Sequence, residues 1–364
     1  MSRTPGMLLL LDLPRTGPLL LCLVLLAGCQ SFLESGDASL SRFEYTHPQM
    51  GTQFGVVIYG HDEVKASKAA ASAFARIDQL NEILSDYLRT SELSQLGAAS
   101  GNGQWIKVSD DLWNVLRISD DYSRQSDGAF DITIGPVVQL WRWARRNGQL
   151  PSRERLDAAV KTVGYDKIEF DTKTQSVRLM HANMRLDAGG IGKGYACDEA
   201  MKILKQHGFT RAMIDGGGGV VVGDPPPGRK GWRIGIGSLD PRNEPPSQYV
   251  ILTSAAISTS GDAWQHIEID GQRYSHIVDS KTGLGLTDHS SVSIVAPTGT
   301  LSDVLSTTVA VLGPQRGLAF VDKQKDAAAF IVRKPGNTIE VYESKRVKSL
   351  TIEAANDQHD NGEK

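Results

Sequence analysis

The chain has little cysteine: three residues in 364, too few for a disulfide scaffold. It has no excess of either charge, with 39 Lys and Arg against 42 Asp and Glu and a formal net charge of -3. That mild acidity argues against a general nucleic-acid binder, which carries a basic face. Proline and glycine, 15 and 37 residues, are too few and too scattered for a low-complexity chain. No internal repeat of roughly 20–50 residues is present, so a solenoid is not indicated. The apolar run PLLLCLVLLAG at residues 18–28 is shorter than the ~20 residues a bilayer-spanning helix needs. What remains is a globular enzyme or ligand binder, long enough to bury a substantial core, of about two domains or one large one.

Arg15, the short apolar run and the small residues before Cys29 have the form of a secretory signal. Leu26-Ala27-Gly28-Cys29 resembles the bacterial lipobox. The resemblance implies cleavage before Cys29 and acylation, palmitate included, of that residue, with the mature protein in the bacterial cell envelope facing the periplasm. Gln30 is not the Asp that marks inner-membrane retention in enterobacteria, which leans toward the outer membrane and leaves both open. The weaker alternative is a buried N-terminal helix with an incidental cysteine. Cys22 would leave with the signal, so Cys197 would be the remaining thiol. The expected division is a signal at 1–28, a lipidated Cys and flexible tether at 29–45, a folded domain at 46–345 and a polar tail at 346–364.

Within the folded part, residues 54–59 read as a strand, and Asp62 as the N-cap of a long helix with Phe74, Ile77, Leu80 and Leu84 in its apolar stripe. Further helices are expected after Asp110, over 195–207 with Gly208 as the closing residue, and over 302–312 and 315–322. Short β-type runs fall at 212–214, 220–222, 232–236, 249–252, 256–258, 266–269, 274–278, 292–295, 328–332 and 339–342. The strands cluster instead of alternating with helices, so the class is α+β.

Three features carry chemistry. Asp187-Ala188-Gly189-Gly190-Ile191-Gly192-Lys193-Gly194 leads into a helix, and glycines at a helix N-terminus let backbone approach a phosphate. The segment fails the P-loop pattern, because Asp187 replaces the first Gly and Gly194 follows the Lys. A nucleotide site and a tight turn are equally good readings of it. Gly216–Gly219 has the form of a turn or bulge. Asp303 and Thr307, at i and i+4, share one helix face and offer hard oxygens suited to Mg²⁺. By themselves they fit better a first-turn acid and a core threonine.

In order along the chain stand Met50-Gly51-Thr52, Leu84-Ser85-Asp86-Tyr87, Ser91-Glu92-Leu93, Ser126 to Asp131, Gly135-Pro136 and Leu140-Trp141. Asp187 to Asp198, Gly216–Gly219, Thr259 to Asp262, Tyr274 to Asp279, Thr282-Gly283 and Asp303 to Thr307 follow. No one piece is strong, but the ordered set resembles the ApbE family of FAD:protein FMN transferases. The resemblance implies an α+β, T-fold-like catalytic domain with mixed or antiparallel sheets flanked by helices. It implies Mg²⁺-dependent transfer of FMN from FAD to a Ser or Thr hydroxyl of an acceptor protein, releasing AMP. The acceptor would be a subunit of a membrane electron-transfer complex or a periplasmic reductase.

The resemblance assigns Mg²⁺ to the Gly190 carbonyl and to the side chains of Asp303 and Thr307. It assigns FAD to Met50, Tyr87, Ala129, Phe130, Asp131, Asp187, Lys193 and Val278, with Tyr87 and Phe130 offering aromatic surface. His276 is the candidate base or proton shuttle, and Asp279 either orients it or shapes the turn. Gly192 and Ala188 stand where Ala and Leu are common in the family, Ser280 replaces a frequent Pro, and Cys197 has the position of a small packing residue. Two other readings use the same residues: an FAD-binding lipoprotein without turnover, and an FAD hydrolase giving FMN and AMP.

Overall fold

The computed structural model describes residues 40–355 except 241, 242, 244 and 264. The expected signal, Cys29 and residues 356–364 of the expected tail lie outside the described residues.

The centre is a sheet of eight strands, β1 Ser41–Gln49, β2 Thr52–Gly60, β3 Ala212–Asp215, β4 Gly219–Val222, β5 Ala255–Gly261, β6 Ser290–Ala296, β7 Ala328–Arg333 and β8 Glu340–Glu343. Their order in the sheet is their order in the chain, and every neighbouring pair is antiparallel. Seven helices are inserted between them: α1 Glu63–Leu84, α2 Glu92–Ala98, α3 Asp110–Gln125, α4 Gly135–Asn147, α5 Arg153–Val160, α6 Gly192–Gln206 and α7 Gly299–Val321. A small sheet of Ile106–Lys107, Ile168–Asp171 and Ser176–Leu179 accompanies α1–α6 in the β2–β3 connection. The fold is α+β, as expected.

The sheet is covered on both faces. Phe54, Val56 and Ile58 of β2 point into one core with Ala66, Ala69, Ala73 and Ile77 of α1, while Val57 points into another. That second core lies beneath a sheet of Trp232–Gly235, Gln248–Leu252 and Ile352–Ala354. β6 is buried throughout, with Val292 and Ile294 against Leu305 and Val309 of α7 and Val295 on the other side.

Asp62 caps α1 through its side chain, and Ile77, Leu80 and Leu84 are buried along it. Gly208 follows α6 with φ +87°, and Gly313 (φ +72°) with Pro314 breaks α7 where the sequence separates two helices. Three expectations are corrected. The fold begins at Ser41, inside the segment expected to be a tether: β1 pairs with β2 from Ser41↔Gly60 to Gln49↔Thr52. Phe43 and Tyr45 pack on the core, and Pro48 is tolerated because β1 is an edge strand. The fold also runs past residue 346, where Val347 is buried and Ile352–Ala354 adds to the sheet of Gln248–Leu252. Finally, the strand expected over 274–278 is Gln272–Ser275, the second arm of a hairpin with His266–Ile269, so His276 follows the strand instead of lying within it.

Candidate active site

The strand registers place the β1–β2 turn, the β3–β4 turn and the C-terminal end of β5 at one end of the sheet. Met50 and Gly51 form the first turn with φ +50° and +73°, the left-handed pair a two-residue hairpin favours. In the second turn Gly217 donates its N–H to Asp215 Oδ1 at 2.8 Å, with φ +68°. A Cβ on Gly217 would lie 1.9 Å from Thr52 Oγ1, so the two turns touch and only glycine fits there. Behind them Cys197 is 1% exposed, and burial pushes its thiol pKa up, as befits a packing residue.

The loop before α6 meets α7 beside these turns. A Cβ on Gly190 would lie 3.0 Å from Thr307 Oγ1 and 3.1 Å from the Phe130 ring. One turn along, the Gly194 N–H donates to Asp303 Oδ2 at 3.0 Å. Gly190, Asp303 and Thr307 are therefore gathered at one place, with a carboxylate and a hydroxyl on one face of α7 and the Gly190 backbone beside them. Among the described residues no group of three or more His, Cys, Asp or Glu could hold a metal ion. A set with one carboxylate, one hydroxyl and one carbonyl is all hard oxygen and fits a hydrated Mg²⁺. Ser260 Oγ lies 2.8 Å from Ser306 Oγ and 3.4 Å from Thr307 Oγ1, tying α7 to β5. Asp198 of α6 accepts the N–H groups of Gly299 and Thr300 at 2.7 and 2.8 Å, capping α7.

This packing of α6 on α7 depends on a missing side chain. A Cβ on Gly194 would lie 2.1 Å from the Gly299 carbonyl oxygen and 2.8 Å from Asp303 Cβ. Backbone cannot yield as a side chain does, so Gly194→Ala is expected to cost about 1–3 kcal/mol or more. A thermal melt should show a fall in Tm of several degrees, and an unchanged Tm would contradict the close approach.

Arg142 of α4 lies between two carboxylates, bonded to Asp86 and, at 3.1 Å, to Asp187 Oδ2 at the start of the glycine-rich loop. Its guanidinium is 4.0 Å from the centroid of the Tyr87 ring, which is 72% exposed. Asp187 Oδ1 also accepts the Gly189 N–H at 2.8 Å. Burial, then the neighbouring Asp86, push the Asp187 pKa up to about 6 against the pull of Arg142. Lys193 Nζ reaches the Gly189 carbonyl at 3.3 Å.

The loop of Ala129, Phe130 and Asp131 is placed differently from the expectation. Phe130 is 4% exposed and packed at Gly190, so of the two aromatic surfaces only Tyr87 is open. Asp131 is 8% exposed: its Oδ1 accepts the Thr133 N–H and O–H at 2.9 and 2.7 Å, and Oδ2 accepts the Tyr165 N–H at 3.0 Å. Its carboxylate holds the loop together, while half-buried Ala129 stays nearer the surface.

His276 hangs on one carbonyl. Its N–H and its Nδ1 both bond the Gln265 oxygen, at 3.1 and 3.0 Å. A ring nitrogen facing a carbonyl carries the proton, so the neutral ring presents an Nε2 lone pair. The residue is exposed, while the protein atoms packed around the ring partly desolvate it. That desolvation, then the positive charges of Lys193 and Arg145, push its pKa down to about 4. Asp279 does not orient the ring; its Oδ1 accepts the N–H groups of Lys281 and Thr282 and shapes the turn. Val278 is buried against Val137 and Trp141, and Ser280 Oγ donates to the Gly128 carbonyl, fastening this turn to the Phe130 loop. Arg142 and Gln265 are site residues that sequence reading missed, and neither carries a local signal.

Residues 50–331 match the model of the ApbE family. The chain is 27% identical over 334 residues to an FAD:protein FMN transferase of Klebsiella pneumoniae, covering 90% of this chain and 95% of that one. It is 30% identical over 334 residues to an FAD:protein FMN transferase of Haemophilus influenzae, covering 90% and 94%. Among solved structures, it resembles the apo form of the Pseudomonas stutzeri flavinyl transferase ApbE, with TM-score 0.75, 27% identity, and 85% and 97% of the two chains covered. The ApbE protein of Thermotoga maritima is similar at TM-score 0.75 and 28% identity, covering 85% and 99%.

Proposed function

This chain belongs to the ApbE family, and on that premise we propose that it is an Mg²⁺-dependent FAD:protein FMN transferase acting on a Ser or Thr hydroxyl of an acceptor protein. One observation carries the reading. At the N-terminus of α6, Gly190 meets Thr307 and the Gly194 N–H donates to Asp303, while Lys193 of the same turn is close enough to the neutral imidazole of His276 to act on it electrostatically.

In the reaction, the acceptor oxygen bonds to the FMN phosphorus, the bond from that phosphorus to the AMP oxygen breaks, and AMP leaves. His276 Nε2 takes the hydroxyl proton. Lys193 and the N-terminus of α6 favour the negative charge of the pyrophosphate. Tyr87, stacked on Arg142, gives a flat surface for a ring, and Met50 would add its contact from the β1–β2 turn. Gly190, Asp303 and Thr307 would hold Mg²⁺, which when bound supplies positive charge at the phosphates.

The test is to incubate the protein with FAD, Mg²⁺ or EDTA, and Ser/Thr-containing acceptors, following AMP and protein-bound flavin. Equal amounts of AMP and protein-bound FMN, lost in EDTA, are expected. AMP without protein-bound flavin would make the protein an FAD hydrolase, and FAD binding without AMP would make it a carrier.

The lipobox supports an envelope location facing the periplasm, on the side of acceptors in membrane electron-transfer complexes or periplasmic reductases. Cys29→Ser is expected to lose acylation and membrane association. Continued entry of labelled palmitate into that variant would sink the lipobox reading.

A further inference from the structure

We propose that Asp262 is a positioning residue for flavin transfer: a buried clamp that fixes the hairpin from which His276 projects. The inference rests on the reading of His276 as the base.

Asp262 follows β5 and is 2% exposed, so it cannot touch substrate from where it lies. Its Oδ1 accepts from His289 Nδ1 at 2.7 Å and from the Ser290 N–H, the first residue of β6, at 3.2 Å. Its Oδ2 accepts from Arg273 Nε. Its carbonyl accepts from Arg273 Nη2 at 3.0 Å and faces His266 Nδ1 at 2.8 Å. His289 and Ser290 belong to the sheet end; His266 and Arg273 belong to opposite arms of the hairpin. The carboxylate thus joins the hairpin to the end of the sheet, while Ile267 and Tyr274 seat the hairpin against the core of α4. A Cβ on Gly261 would lie 2.4 Å from the Ser290 carbonyl oxygen, so β5 and β6 approach closely where the carboxylate reaches across.

The hairpin decides where Nε2 points. His276 is the residue after the second arm, and its ring and backbone are both held by Gln265, the residue before the first arm. With one carbonyl setting the ring, any tilt of the hairpin against the sheet moves the lone pair. Charge-assisted bonds to a planar guanidinium resist such a tilt better than neutral ones. Supporting contacts of this kind are worth about 10–100-fold when they orient a reacting ligand.

The experiment is a double-mutant cycle on single-turnover FMN transfer, with FAD affinity read from flavin fluorescence. Asp262→Asn keeps the shape but loses the charge, and should slow transfer about 10–100-fold with FAD affinity within about twofold. In a His276→Ala background the same substitution should slow transfer no further. Arg273→Lys keeps a charge but cannot serve both acceptors, and should show a smaller loss with the same non-additivity. This second variant covers the case in which Asp262→Asn does not fold. Equal slowing in both backgrounds, weakened FAD binding, or a wild-type rate for Arg273→Lys would overturn the proposal. A wild-type rate for His276→Ala alone would instead remove the base reading beneath it, a result distinct from additive loss in the cycle.

Discussion

Asp303→Ala is expected to abolish Mg²⁺-dependent AMP release and protein flavinylation, by at least the roughly 10²–10³-fold that follows loss of one electrostatic stabiliser. The carboxylate has two jobs that this substitution removes together. In the proposed reading it would offer oxygen to a cation beside Gly190 and Thr307, and its Oδ2 accepts the Gly194 N–H at 3.0 Å, joining α7 to α6. Asp303→Asn separates them, because the amide oxygen still accepts that N–H but the charge is gone. Asp303→Asn should melt near wild type and still fail to release AMP at saturating Mg²⁺. Retention of AMP release by Asp303→Asn would make Asp303 a helix tie only.

His276→Ala is expected to bind FAD almost normally and to lower transfer by about 10²–10⁴-fold, the usual worth of a positioned base. His276→Gln keeps a hydrogen-bonding amide but takes no proton near neutral pH, and should be nearly as slow. A near wild-type rate for the Gln variant would make His276 structural. The pH dependence sharpens the test, because kcat/KM for FAD reports the free enzyme. Asp187, pushed up to about 6, takes its proton first on acidification, and His276, pushed down to about 4, follows. The carboxylate works ionised and the imidazole works neutral, so both are competent at neutral pH and both are lost as pH falls. The profile should bend near pH 6 and steepen toward pH 4. The bend near 6 is expected to come from Asp187 together with its neighbour Asp86 and not from a histidine. It should persist in the residual activity of His276→Gln and vanish in Asp187→Asn; the reverse pattern would overturn the assignment.

Much of the scaffold was legible along the chain. Asp62 before α1, its stripe of Ile77, Leu80 and Leu84, Gly208 after α6, and the Gly313-Pro314 break in α7 all act through neighbours within about one helical turn. The buried segments Val56-Val57-Ile58 of β2 and Ile294-Val295-Ala296 of β6 announced themselves as short apolar runs. β1 did not, because an edge strand with alternating exposure and polar composition has no signal apart from its partner. Ile352–Ala354 was missed for the same reason: three residues become a strand only because Gln248–Leu252 lies beside them.

Sequence by itself determined the α+β class, the candidate oxygen pair on α7, the glycine-rich entrance to α6 and, through the order of its motifs, the resemblance to one family. These follow from residue spacing and type, which a chain carries wherever it folds. Tertiary structure alone decided which of those residues share a site and in what state. It set Arg142 between Asp86 and Asp187, 56 and 45 residues away in sequence, and it buried Asp187 beside Asp86, which raises the Asp187 carboxyl against the pull of that arginine. It turned Asp131 inward to hold its own loop, took Asp279 away from His276, and left the imidazole uncharged at neutral pH with its Nε2 lone pair free. The reason is physical: protonation and orientation depend on desolvation and on charges a few ångströms away, and those distances are fixed by strand register and helix packing.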